Sequence, residues 1–354
     1  MNEEFRDLIL TTVLAVLLGL ILSGLMLLFL DKDPIEAFTI LFTSLFRDKY
    51  TFGDIFVKAT PLIFTGLAFA LPYKANLFNI GAQGQFYIGA VISAAASLAL
   101  QEKMPGFLVL VIVFVLVVIG GGLWGGFVGL VKARYKTNEF LVSMMSTYVA
   151  LNFMDYLLRT VLKETKGEYP QTNPLNKTVW LPKLISGTRL HWGFVLAILA
   201  AVGIWILLYK TPLGFRIRAV GFNSEAAKLA GINASKIYLT VFFLSGALAA
   251  LAGFSEVNGM QHMLVQGFNP NVGSEGLGIA ILANANPLGI IFAAILFGIL
   301  RVGGLVMSQM ANVPSSIIEL MQGFVMIFVI LSYAVRSKLA SDREKNRLRK
   351  GAEK

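Results

Sequence analysis

From Leu8 to Leu30 the chain reads LILTTVLAVLLGLILSGLMLLFL, 23 residues without a charge. A helix of that length spans about 30 Å of hydrocarbon. Lipid offers no partners for free backbone N–H and C=O groups, so a helix is the structure such a run must take there. Further apolar stretches, divided by polar or Gly/Pro breaks, follow at 55–72, 79–100, 106–131, 139–158, 193–209, 237–257, 270–285, 287–308 and 314–335. The composition agrees, with 56% hydrophobic and 14% charged residues and a mean hydropathy of +0.72. The expectation is an all-α polytopic membrane protein with about ten transmembrane helices. The first run is too long for a signal-peptide core, follows the mixed-charge MNEEFRD and lacks a small-residue cleavage site, so it reads as a retained span.

The residue inventory removes whole classes of chemistry. There is no cysteine, hence no disulfide, thiolate nucleophile or cysteine metal site, and two histidines, His191 and His262, are too few for an imidazole cluster. No G-x-x-x-x-G-K-[ST] phosphate loop, H-E-x-x-H or G-x-S-x-G occurs, so no catalytic residue, metal or cofactor is expected. The glycines of Gly120 to Gly129 (GGGLWGGFVG) suit close helix packing in lipid, not phosphate binding. The net charge of +10 sits in short loops and the tail, which points to membrane lipid and not to nucleic acid.

Charge also sets the expected orientation. The segment from Arg336 to Lys354 carries eight Lys or Arg against three acids, which marks it as a basic cytoplasmic tail beyond a transmembrane domain of residues 1–335. Ten spans place both termini on that side. The turn Lys132-Ala133-Arg134-Tyr135-Lys136 falls there too, while the basic loop from Arg159 to Trp192 falls outside against the trend.

Two polar phrases interrupt the apolar pattern. Asn79 to Gly84 reads NIGAQG and Asn271 to Gly276 reads NVGSEG. With ten spans the first enters the membrane from the cytoplasmic face and the second from the other, as two inverted-topology halves require. Glycines at matching positions of such halves mark broken helices at a translocation path, because the freed backbone must face protein or a cavity. Asn79, Gln83, Asn271, Ser274 and Glu275 then supply polar side chains to the path, flanked by Phe78 and Gln85, with Phe78, Phe86 or Tyr87 offering a ring for stacking. The other reading is that the two phrases only cap and pack helices.

The stretch from Lys210 to Lys236 is too polar to span and too ordered in pattern for a slack linker. Asn223 or Ser224 suits the N-cap of a short helix over Glu225 to Leu229, and Gly231 suits its left-handed end. Glu225 lies in the first turn, and Ala226, Ala227 and Ala230 form a small smooth face for a partner.

Glu225-Ala226-Ala227 followed by Gly231 resembles the E-A-A-x-x-x-G motif of membrane subunits of ATP-binding-cassette importers. FNIGAQGQ (Phe78 to Gln85), RAVGFNSEAAKLAGI (Arg218 to Ile232) and LSGALAALAG (Leu244 to Gly253) are similar to permeases for simple sugars, nucleosides and branched-chain amino acids. GLGIAILANANPLG (Gly276 to Gly289) is most similar to the nucleoside and simple-sugar branch. The resemblance covers roughly 55–335 and departs at Gln83, where many relatives carry Glu. It implies a subunit of the bacterial cytoplasmic membrane that forms the path for a small polar solute, most readily a nucleoside, with simple sugars or branched-chain amino acids as alternatives. It implies as partners a cytoplasmic ATPase, a second permease of paralogous sequence and an extracellular binding lipoprotein or periplasmic binding protein. The coupling residues it implies are Arg216, Arg218, Gly221, Asn223, Glu225, Ala226, Ala227, Leu229 and Gly231. The competing class is an ion-coupled secondary transporter, for which Lys58, Asp155, Glu275, Arg301 and Glu319 are the available ionisable groups in or near spans.

Overall fold

The computed structural model describes residues 3–165, 167–269 and 271–352, and within them the side chains of 14–332 and Val335. The described chain is helical apart from turns, the long loop between Arg159 and Gly193 and two isolated β-bridges. Thirteen α-helices follow one another: α1 Glu3–Leu28, α2 Pro34–Thr43, α3 Lys49–Tyr73, α4 Ala82–Leu100, α5 Gly106–Tyr135, α6 Glu139–Arg159, α7 Gly193–Lys210, α8 Pro212–Phe222, α9 Ser224–Leu229, α10 Ala234–Glu256, α11 Val272–Leu282, α12 Pro287–Met310 and α13 Ser315–Ala352. A π-helical turn, Val257–Gln261, extends α10. Among the described residues eight helices are long and apolar enough to cross a membrane: α3 to α7, α10 with its π turn, α12, and α13 over Ser315–Ser332.

Two of the ten expected crossings need a different description. α1 has the length, at 26 residues, with side chains described from Leu14 onward. The expected span at 270–285 contains only the 11-residue α11, about 16 Å of helix and half a bilayer core. Residues 266–269 before it are turns and irregular backbone and do not extend that helix. The expected tail continues α13 as helix through Ala352, while Glu353 and Lys354 lie outside the described residues.

The chain forms two compact units. One contains residues 1–52 and 299–354. Within it α1 lies along α13, and Gly19 makes this possible, because a Cβ there would sit 2.7 Å from the Val325 backbone. Asp33 caps α2 by accepting from Ile35 N at 2.8 Å, with Pro34 at the first helical position where its missing N–H costs nothing.

The second unit, Gly53–Gly298, is built on α10 packed against α5 and α4. Gly121, Gly125 and Gly129 form a four-residue repeat on α5 that faces Phe242, Gly246 and Ala250 of α10. A Cβ on Gly125 would lie 2.8 Å from Gly246 Cα, and one on Gly129 would lie 2.8 Å from Phe242 Cβ. Hydrophobic burial gives little drive between helices in lipid, so such contact of backbones supplies the dispersion energy that holds them.

The loop between α6 and α7 is folded, not slack. It is stitched to the end of α10 by Thr172 N to Leu264 O (2.9 Å), Leu175 N to His262 O (2.8 Å) and Leu181 N to Asn258 O (2.8 Å). The Asn258 amide, inside the bundle, also donates to Val179 O and Ser97 Oγ. Trp180 stacks on His262 at 3.6 Å, and His191 is buried with its Nδ1 accepting from Gly193 N at 3.1 Å. Burial holds both imidazoles well below their ordinary range, at about 4, with the charges of His262 and Lys183 as the respective secondary causes. A histidine neutral in the fold but protonated when unfolded loses stability as pH falls from about 6.5 to about 4 and not above that window. For His191 the slope is up to about 1.4 kcal/mol per pH unit. The thermal midpoint of the detergent-solubilised protein is therefore expected to fall between pH 7 and pH 5, and His191→Gln to flatten that dependence. An unchanged slope in the variant would remove His191 as the cause.

Candidate translocation path and coupling surface

The two polar phrases meet. Gly273, in the second, packs so closely on Gln83, in the first, that a Cβ would lie 2.5 Å from Gln83 Cα. Gln83 clasps the second segment through its amide, donating to Asn269 O at 3.0 Å and accepting from Gly273 N. The depth of this junction follows from its neighbours. Thr65, well inside α3, donates to Val272 O at 3.1 Å, and Gly84 lies against Thr147, two turns inside α6. Both α4 and α11 thus begin within the bundle, on non-helical segments.

Those segments enter from opposite ends of this unit. Residues 74–81 come from the end where α3 stops, and Lys74 there donates to Asn284 O, just past α11, at 3.2 Å. Burial, with the nearby Arg218 charge second, pulls the Lys74 ammonium below its ordinary range. Residues 262–269 come from the end where α6 and α10 stop: Leu264 N reaches Thr172 Oγ1 at 3.0 Å and Gln266 reaches both Asp155 and Arg159. Residues 262–269 thus approach α11 through turns, with backbone groups such as Leu264 N, Gln266 N and Asn269 O bonded to protein, the arrangement lipid permits.

The expected path residues divide into two groups. Asn79 and Gln85 are fully buried and bonded to each other (2.8 and 3.3 Å), and Asn79 also donates to Ser245 Oγ at 2.7 Å, so they form an internal clamp between α4 and α10. Asn271 and Ser274 are exposed and Glu275 is half-buried, on the first turn of α11. Phe78 is 41% exposed and rests on the Phe69 and Tyr73 rings. Beside the Gln83 clasp Phe86 and Tyr87, expected as stacking rings, are joined by Phe268, which was not: Phe86 stacks on Phe268 at 5.1 Å, and Tyr87 lies 6.4 Å from Phe268. Gln266 and Phe268 carried no signal in the sequence, being single residues of a connecting segment, whereas Asn258 could have been noticed as an amide inside an apolar span.

At the other end, the 210–236 stretch forms two helices where one was expected. Thr211 caps α8 through Gly214 N (3.1 Å), with Pro212 at its first position. Asn223 caps α9, accepting from Glu225 N and Ala226 N at 3.0 Å each, and Gly231 ends it at φ +81°. Arg218 donates to Leu208 O and covers the Tyr209 ring at 5.2 Å, and Gly221 leaves space for the Lys74 carbonyl. Ala227 is buried in the chain's own fold, which corrects the expectation that it belongs to a partner-facing surface. Ala226, Ala230, Arg216, Glu225 and Leu229 do face outward, together with Phe222. Phe222 is 90% and Leu229 91% exposed, an unusual state for two large apolar side chains on polar helices.

Comparison with known proteins gives this geometry a context. Residues 51–330 match the family described as branched-chain amino acid transport system / permease component. The chain is 34% identical over 349 residues, covering 95% of itself and 91% of the relative, to the glucose ABC transporter permease protein TsgB13 of Haloferax volcanii. It is 32% identical to the guanosine ABC transporter permease protein NupP of Bacillus subtilis over 95% of the chain and 97% of the relative. To the nucleoside ABC transporter permease protein NupB of Lactococcus lactis subsp. cremoris the identity is 29%, over 96% and 95% respectively. No solved structure matches. The chain belongs to the permease family so described: it is a multi-pass membrane subunit of an ATP-binding-cassette importer, a transport component and not an enzyme.

Proposed function

We propose that the protein is the permease for a nucleoside, which passes the junction of the two polar phrases. The observation that carries this reading is the placement of three aromatic rings, Phe86, Tyr87 and Phe268, beside the Gln83 clasp. A nucleobase needs a ring to stack on and amides to bond its edge, and both are present within one cluster. The relatives named for guanosine and nucleosides support the same class. The relative named for glucose favours a second reading, in which the solute is a simple sugar. In either case Gln83, Asn271, Ser274, Glu275 and Phe78 belong to the path, with Asn79 and Gln85 holding its frame. Entry of the two non-helical segments from opposite ends supports two inverted halves, with ten crossings and both termini cytoplasmic.

The energy arrives from a separate ATPase docked on α8 and α9, and a binding protein delivers the solute to the far face. A second, paralogous permease completes the pathway. Transport by the reconstituted importer decides the substrate: guanosine and other ribonucleosides are expected to be taken up and to compete with one another, with glucose and leucine without effect at equal concentration. Uptake of glucose unaffected by guanosine would replace the nucleoside reading with the sugar one.

A further inference from the structure

One cluster in the second unit holds unmatched polarity that packing does not require. Asp155 lies in the last turns of α6, and its Oδ2 accepts from Gln266 Nε2 at 2.9 Å. Among the described residues its Oδ1 is shielded from solvent with no hydrogen-bond partner. Three residues beyond Gln266, Asn269 gives its carbonyl to Gln83, while its Nδ2 is likewise shielded and unmatched. One orphan is an acceptor and the other a donor. Phe268, the residue before Asn269, stacks on Phe86. Buried polar groups are matched in nearly all native structures, and exceptions call for a functional cause. A carboxylate inside a span is costly and is seldom kept for packing alone.

The same cluster has an approach. Arg159, Lys163, Glu168, Tyr169, Pro170 and Gln266 line a cleft of about 410 Å³, and Gln266 is the residue shared with Asp155. Arg159 holds Gln266 from the cleft side, its Nη2 donating to Oε1 at 3.3 Å. The volume suits a solute of nucleoside or monosaccharide size. The amide of Gln266 thus separates an open polar cleft from a closed acceptor.

We infer that Asp155 is a specificity-determining residue that receives a vicinal pair of hydroxyl groups from the passing solute. In this arrangement one hydroxyl donates to Asp155 Oδ1 and its neighbour to Oδ2, which the Gln266 side chain gives up as it swings aside to admit them. The inference deepens the proposed function, since a ribose and a hexose both present such a pair, and a branched-chain amino acid does not. It also gives the ionisable group of α6 a task other than ion coupling. A site built to bond hydroxyls rejects analogues that lack them, because its own buried groups then stay unmatched.

The test is transport by the reconstituted importer with Asp155→Asn, scored as the ratio of wild-type to variant rate for each solute so that selection by the binding protein cancels. The solutes are guanosine, its 2′-deoxy and 3′-deoxy forms, glucose and 2,4-dideoxyglucose, in which no vicinal pair of hydroxyls is left. For the solute class that is transported, the ratio is expected to be about tenfold for the complete diol and near one for the deoxy forms, with basal ATP hydrolysis unchanged. Gln266→Met, which frees the carboxylate to turn, is expected to shift the same ratios in the same direction and serves if the Asn variant does not assemble. Equal ratios for diol and deoxy forms, at any size, overturn the inference. Glucose transport with a selective diol ratio retains it while overturning the nucleoside reading. Transport of leucine alone overturns both.

Discussion

Replacing Gly246 by leucine is expected to abolish recovery of correctly assembled protein from membranes. A Cβ at this position would lie 2.9 Å from Gly125 Cα and 3.0 Å from Gly125 N, and it would overlap the Gly121 carbonyl. The obstacle is the backbone of α5, which cannot turn aside as a side chain can. Overpacking alone costs about 1–3 kcal/mol, and here it separates the two most extensively packed helices of the second unit, so the loss approaches the whole margin of a domain. Gly203 of α7 supplies the control: nothing lies within 4 Å of a Cβ there, and Gly203→Ala removes a helix-weakening glycine. Yield and monodispersity in detergent are the measurements. Recovery of Gly246→Leu at wild-type level would show that α5 and α10 do not pack through these glycines.

The second large effect is expected at the exposed end of α8 and α9. Phe222→Asp combined with Leu229→Asp should leave the subunit folded, because neither side chain is covered by its own chain, and should prevent the ATPase from co-purifying with it. Buried apolar anchors at an interface contribute about 2 kcal/mol or more each. Losing two corresponds to roughly a thousandfold in affinity. Uptake should fall to background, while thermal stability of the isolated permease should stay within about 0.5 kcal/mol of wild type, as is usual for surface changes. Ala227 provides the contrast, being buried: Ala227→Asp should lower stability of the isolated subunit first. Full ATPase recovery with the double variant would remove this surface from the interface.

Much of the architecture is visible one residue at a time. Hydropathy marks the long helices, since each must cover its own backbone groups and show an apolar surface to lipid whatever its neighbours do. Capping is equally local: Asn223 caps α9 and Gly231 ends it because a side-chain oxygen two or three residues from an N–H, and a glycine at φ +81°, act within a single turn. The glycine repeat of α5 announced close packing, although its partner on α10 could not be read from it.

What the sequence determined by itself, then, is where the long apolar helices lie, how the short helix α9 is capped and which segments carry small residues for contact. Only the tertiary structure decided what meets what. That Gln83 clasps Gly273, that Asn79 donates to Ser245, and that Gln266 stands beside Asp155 all depend on pairings across more than a hundred positions. Ten expected spans became eight long helices, α1 and the half-length α11, because hydropathy scores the apolar content of 270–285 but not whether its first residues are wound. The physical reason is common to all of these. Apolarity in a membrane is satisfied equally by lipid and by protein, so it says that a residue lies in the bilayer without saying against which neighbour, and only directional hydrogen bonds and backbone contacts in the folded chain select the partner.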